Sequence, residues 1–179
     1  MGLQLYDLAG AEPKRRFSPY CWRIKLSLMH MGLAFDTIPW RSTDKDAIAF
    51  SGQGRVPVLI DGDQIVFDSW TIANYLEDTY PDRPSLFGGE GGRAVTRFVS
   101  AWADVILVGG ILRLIATDIL TYLDEEDRVY FRETREKRLG ATLETLTADR
   151  ETSVLAFRKT LEPIRTVLAH LIQPVWNLS

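Results

Sequence analysis

One cysteine, Cys21, and two histidines, His30 and His170, are all that 179 residues offer of the side chains that build disulfide frameworks and most metal centres. A single cysteine excludes a disulfide within the chain, and neither histidine has ligand spacing around it, so no metal site is expected. No Ser-His-acid arrangement can be argued either, since no histidine stands near a candidate serine in sequence. An excess of positive charge is also lacking: 21 Lys and Arg against 24 Asp and Glu give a net charge of −3, and nucleic acid is not an expected partner. Long apolar runs are few. The most apolar stretch, Val105–Leu112, is bracketed by Asp104, Arg113 and Asp118 too closely for a bilayer-spanning helix, so it reads as a buried helix and no membrane association is expected. Met1-Gly2 leads directly into a strand pattern with no basic, apolar leader, and Tyr6 stands where a myristoylation site wants Ser or Thr. A soluble, cytoplasmic protein is the expectation.

What is present is a set of three backbone junctions. Residues 3–8, Leu-Gln-Leu-Tyr-Asp-Leu, alternate as a short strand does, and Ile24, Leu28 and Met31 recur at helical spacing until Gly32 stops the run. Ser18 therefore sits at a strand-to-helix junction, with Pro19 at the first helical position, where its missing N–H costs nothing. As a helix cap Ser18 is sufficiently explained; the same helix end can also stabilise an anion, and a thiolate is one. Pro57 opens the apolar strand Val58-Leu59-Ile60, where it removes no interior ladder bond. A cis bond there would turn the Val56 backbone outward, toward an extended peptide ligand. Asp61-Gly62-Asp63 predicts a hairpin to Gln64-Ile-Val-Phe67. Asp68-Ser69 then opens a helix with the stripe Ile72, Tyr75 and Leu76, either as a plain cap or as a carboxylate site.

Strand, helix, strand, irregular helix, proline-led strand, hairpin strand and helix within residues 3–80 is the order of a thioredoxin-like domain. The segments SPYCWRIKLSLMHMG at 18–32, GRVPVLIDG at 54–62 and FDSWTIANYLEDTYPDRPSLFGG at 67–89 resemble the glutathione S-transferase family. The stretches FRETREKRLGATLETLTADRE at 131–151 and LEPIR at 161–165 resemble its etherase-related group, the bacterial lignin β-aryl etherases and their fungal relatives. The resemblance implies glutathione as co-substrate, with no metal. It implies that Ser18 donates a hydrogen bond to the glutathione sulfur and holds it as thiolate. Val56, before Pro57, would pair with the cysteinyl backbone; Asp68 and Ser69 would hold the γ-glutamyl end; Arg55 would make a further carboxylate contact. Cys21, alone and one turn into the helix, reads as a buried or partly buried thiol.

The fold expected is an α/β thioredoxin-like N-terminal domain over residues 1–82, a Pro- and Gly-rich linker over 83–92, and an all-α helical domain over 93–179. One long helix is expected from Arg93 to about Leu123, with Gly109-Gly110 as a close-packing or bending point. Another starts at Asp124-Glu125-Glu126-Asp127; its acidic start and basic end (Arg135, Lys137, Arg138) complement the helix dipole and read as a solvated face. Related transferases continue for several more helices past the LEPIR-like segment, so the helical domain is expected to be truncated. Apolar surface on Val105–Leu112 and on the stripe Leu155, Leu161, Ile164, Leu168 and Leu171 would then be left over, favouring a homodimer. Two functions follow: a transferase joining glutathione to a small-molecule electrophile, an aryl ether among the candidates, or a non-catalytic module that docks a hydrophobic ligand or a protein partner.

Overall fold

Alternation along the first strand decides which side chains enter the core. In the computed structural model, which describes residues 2–171, β1 (Leu3–Leu8) buries Leu3, Leu5 and Asp7 and pairs in parallel with β2 (Phe35–Trp40), Leu3 facing Phe35 and Leu8 facing Trp40. Between them runs α1 (Pro19–His30). A 3₁₀ turn, Asp46–Ser51, leads to β3 (Val58–Asp61), which runs antiparallel to β1, and the two-residue turn at Gly62-Asp63 returns the chain as β4 (Gln64–Phe67). The sheet order is β2-β1-β3-β4. Helix α2 (Ser69–Thr79) follows, and Tyr75 at its centre donates a 2.9 Å hydrogen bond to Asp61 at the hairpin. Leu3, Leu5, Ile24, Leu28, Leu59 and Ile72 meet in one core between sheet and helices. This is the thioredoxin-like arrangement expected.

Asp7 is the polar member of that buried row. With its side chain fully covered, it lies 2.7 Å from Lys25 Nζ and 3.4 Å from Arg16, so α1 and the loop before it supply the counter-charge that burial demands.

The rest is helical: α3 (Glu90–Ala103), a π-helical turn at Asp104–Val108, α4 (Gly109–Leu120), α5 (Glu125–Leu139), α6 (Leu143–Thr147), α7 (Arg150–Thr160) and α8 (Glu162–Leu171). The expected long helix is thus α3 to α4, and its widened turn ends at Gly109. Gly110 is a close-packing point, since a Cβ there would stand 2.5 Å from the Phe157 ring of α7. Ala116, Leu123, Phe131 and Leu143 form the second core.

Two expectations need correction. Val105–Leu112 is not a buried helix: none of α3 or the π turn is buried, and Val105 and Phe98 are each 73% exposed. By length and composition Glu90–Leu120 would suffice to cross a bilayer. It is nevertheless built into the fold, with Arg23 of α1 reaching Asp104 at 2.6 Å and Ser100 at 3.3 Å, and with α6 and α7 packed along α4. Nor is the charged α5 a solvated face. Asp124 caps the helix by accepting from Asp127 N and pairs with Arg41, while buried Asp127 accepts a 3.0 Å hydrogen bond from Thr43 N. The acidic start of α5 bolts the helical part to the loop after β2. Along the later stripe, Leu155 and Leu168 are exposed and Leu161 and Ile164 half-buried; the Leu171 side chain and residues 172–179 lie outside the described residues.

Candidate functional site

A cleft of about 560 Å³ opens where the C-terminal end of β1, the start of α1, the 54–57 loop and the start of α2 face α5. Ser18, Arg55, Val56, Pro57, Asp68 and Ser69, the six residues singled out from the sequence, all line it.

Local geometry fits each of them to a different task. Ser18 is the cap of α1, in extended conformation and 5% exposed, and its Oγ accepts a 3.3 Å hydrogen bond from Cys21 N. Because the oxygen accepts, its hydroxyl proton remains free to be donated into the cleft. Pro19 has no N–H, Cys21 N is used by Ser18, and the Tyr20 N–H has no partner among the described residues. One backbone donor and one hydroxyl donor therefore converge on an anion position at the positive end of α1.

Cys21 is fully buried one turn behind. Burial pushes its thiol up to about 12, outweighing the polar surroundings at Ser18 and Leu8 that favour the thiolate. It is therefore a core thiol and no nucleophile at neutral pH.

The Val56-Pro57 bond is cis, and the Val56 N–H and C=O have no hydrogen-bond partner among the described residues. Asp68 is the true cap of α2: one oxygen, Oδ1, accepts from Trp70 N and Thr71 N at 3.0 Å each, in a backbone at φ 68° that few non-glycine residues adopt. Ser69 is not part of the cap but the first helical residue, and neither its hydroxyl nor its N–H has a partner among the described residues. An acid whose second oxygen is free thus stands beside a free hydroxyl and a free N–H, which suits an ammonium next to a carboxylate.

Sequence reasoning missed the other half of the cleft. Trp40 and Lys45 form one flank, Lys45 Nζ donating to Gly54 O at 2.8 Å and to Tyr130 Oη at 3.2 Å. Tyr130, Thr134, Arg135 and Arg138 of α5 form the wall opposite Ser18. Their spacing of i, i+4, i+5 and i+8 is a helical face, a signal present in the sequence beside the acidic-start, basic-end pattern that the helix dipole explains. Burial also lowers the pKa of Arg135, reinforced by Arg138 and Arg55. Burial raises that of Tyr20, with Asp104 adding to it and Arg23 and Arg138 opposing it.

Comparisons with known proteins find relatives of both parts of the chain. Residues 17–79 match the family described as glutathione S-transferase, N-terminal domain, and residues 94–174 match glutathione S-transferase, C-terminal domain. The chain is similar to glutathione S-transferase Z2 of Arabidopsis thaliana, 31% identical over 58% of this chain and 47% of that protein. Among solved structures, glutathione transferase GSTFuA3 from Phanerochaete chrysosporium aligns with a TM-score of 0.84 at 28% identity, over 97% of this chain and 74% of that one. The glutathione S-transferase CsGST63524 of Ceriporiopsis subvermispora, solved in complex with glutathione, aligns with a TM-score of 0.79 at 25% identity, over 92% and 72%. The chain spans about half the length of the curated relatives it matches.

Proposed function

Because the chain belongs to the glutathione S-transferase family, we propose that it binds glutathione in this cleft and activates its thiol for attack on an electrophilic carbon. The observation that carries the reading is the free Ser18 hydroxyl proton and free Tyr20 N–H at the α1 N-terminus, in a cleft whose other predicted residues have unpaired groups suited to the rest of the peptide. Ser18 donates to the sulfur and stabilises it as thiolate. Val56 N–H and C=O pair with the cysteinyl backbone, Asp68 takes the γ-glutamyl ammonium, and Ser69 with its N–H takes the adjacent carboxylate. Arg55, with Lys45 across the 54–57 loop, faces the glycyl carboxylate.

The thiolate then displaces a leaving group: a C–S bond forms and the bond to the leaving group breaks with its electron pair. For an aryl ether the leaving group is an aryloxide, which takes a proton from water. The segment at 131–151 supports that substrate class by its resemblance to the etherase-related group. The exposed apolar side of α3 and the π turn, with Val95, Phe98 and Val105, supports pairing with a second copy.

Titration calorimetry with glutathione, followed by a conjugation assay on the same preparation, tests the proposal. Saturable binding with thioether formation is expected. Absence of glutathione binding refutes it, and binding without turnover on aryl ethers or aryl halides assigns the chain to the non-catalytic class.

A further inference from the structure

We propose that the second substrate of this cleft is an aromatic electrophile bearing a carboxylate, and that Arg135 and Arg138 of α5 hold that carboxylate; the inference rests on the glutathione reading above. Charge in the cleft is the starting point. Lys45, Arg55, Arg135 and Arg138 line it, whereas Asp68 is the one carboxylate that does. None of the four cations has a carboxylate within ion-pair distance among the described residues, although Arg132, on the same helix, is paired with both Glu136 and Glu144 at 2.8 Å.

Glutathione does not use this charge up. Its ammonium matches Asp68, its γ-glutamyl carboxylate matches the free donors at the start of α2, and its glycyl carboxylate has Arg55 and Lys45. Arg135 and Arg138 are left over on α5, Arg135 near enough to Arg55 to feel its charge. Arg138 stands close enough to Tyr20, two residues from Ser18, to act on its ionisation.

Arg135 has the surroundings of a guanidinium awaiting an anion. Its Nε is buried without a hydrogen-bond partner among the described residues, its one acceptor among them is the Thr134 hydroxyl at 2.8 Å, and its guanidinium carbon lies 4.5 Å from the centre of the Phe131 ring. Contact with Phe131 steadies the Arg135 fork, and Arg138 one turn further along α5 adds a second cation for the same planar carboxylate. Burying such a group without a counter-charge is unfavourable, and the folded chain tolerates it where a ligand supplies the charge. Tyr20, Phe67 and Tyr130 border the same space with aromatic faces, which suits an aryl body between the thiolate and the arginines.

The test compares two glutathione conjugates, S-benzylglutathione and S-(4-carboxybenzyl)glutathione, by titration calorimetry on the full chain. The parent should bind the carboxylated conjugate about ten- to a hundredfold more tightly, the range expected for a charge-assisted hydrogen-bonded pair. Arg135→Gln with Arg138→Gln should abolish that preference and leave S-benzylglutathione binding within about threefold, a change worth under 1 kcal/mol. Should the double variant fail to fold, Arg138→Gln alone carries the test, because Arg138 is exposed and can be replaced without opening the core. Equal affinity of the parent for both conjugates, a preference that survives the substitutions, or an equal loss for both conjugates would overturn the inference while leaving the glutathione reading in place. Failure of the parent to bind glutathione or either conjugate would overturn both.

Discussion

Replacing Asp68 separates two jobs that one side chain does. Its Oδ1 caps α2 through Trp70 N and Thr71 N at 3.0 Å, and its free oxygen faces the cleft as the proposed ammonium partner. Asp68→Asn keeps the capping acceptor and removes the charge. Asp68→Ala removes both and leaves a non-glycine residue at φ 68°, so it should cost about 1 kcal/mol of stability, within the 0.5–2 kcal/mol span of cap deletions. Asp68→Gly loses the cap but relaxes a backbone position that costs a side-chain-bearing residue about 1–3 kcal/mol, so it should melt near the parent. Stability should therefore order as Asn and Gly near the parent, with Ala below. Glutathione affinity should instead fall in all three by about ten- to a hundredfold, since each lacks the carboxylate. Turnover at saturating glutathione should change little, because a contact remote from the sulfur acts alike on ground and transition states. Calorimetric titration and thermal melts of the three variants check both orders. An Asn variant that binds glutathione as the parent does would refute the placement of the γ-glutamyl end.

Three other outcomes follow from buried groups. Asp7→Ala leaves Lys25 and Arg16 beside an empty buried position and should destabilise by about 3–5 kcal/mol in denaturant titration, as breaking a buried ion pair does. Cys21, with its thiol pushed up to about 12, should resist iodoacetamide at pH 8 in the folded chain and react once denaturant is added. Burial raises the pKa of Asp127, with Asp124 adding to it, so its ionised form is a cost that is fully present above the folded pKa and relieved as pH falls toward the unfolded value. Asp127→Asn should then be at least as stable as the parent at pH 7, with the advantage shrinking in acid, whereas Asp127→Ala strands the Thr43 N–H and should cost about 1–3 kcal/mol at neutral pH.

The legible part of the fold was the part fixed by local backbone chemistry. The caps at Ser18 and Asp68, the Gly62-Asp63 turn and the stripe of Ile24, Leu28 and Met31 are short-range patterns, and each element formed where its pattern stood. Half of the cleft was legible for the same reason, since Ser18, Val56 and Asp68 sit at element ends. The α5 wall was not, because whether Arg135 and Arg138 face solvent or a cleft depends on how α5 docks on the loop after β2. That docking is set by Asp127 on Thr43 and Asp124 on Arg41, contacts between residues far apart in sequence. The exposure of Val105 was hidden likewise: apolar composition tells that a helix wants a partner, and not whether the described residues of its own chain cover it.

The most direct test of the central claim is a pH titration of the bound glutathione thiol, followed by thiolate ultraviolet absorbance in the parent, Ser18→Ala and Cys21→Ala. The parent should hold the thiol below its free value, Ser18→Ala should raise it by about 1–2 pH units for one lost charge-assisted hydrogen bond, and Cys21→Ala should leave it unchanged. A Ser18→Ala titration that overlays the parent's, or a shift that appears only on replacing Cys21, would contradict the assignment of Ser18 as the group that holds the thiolate.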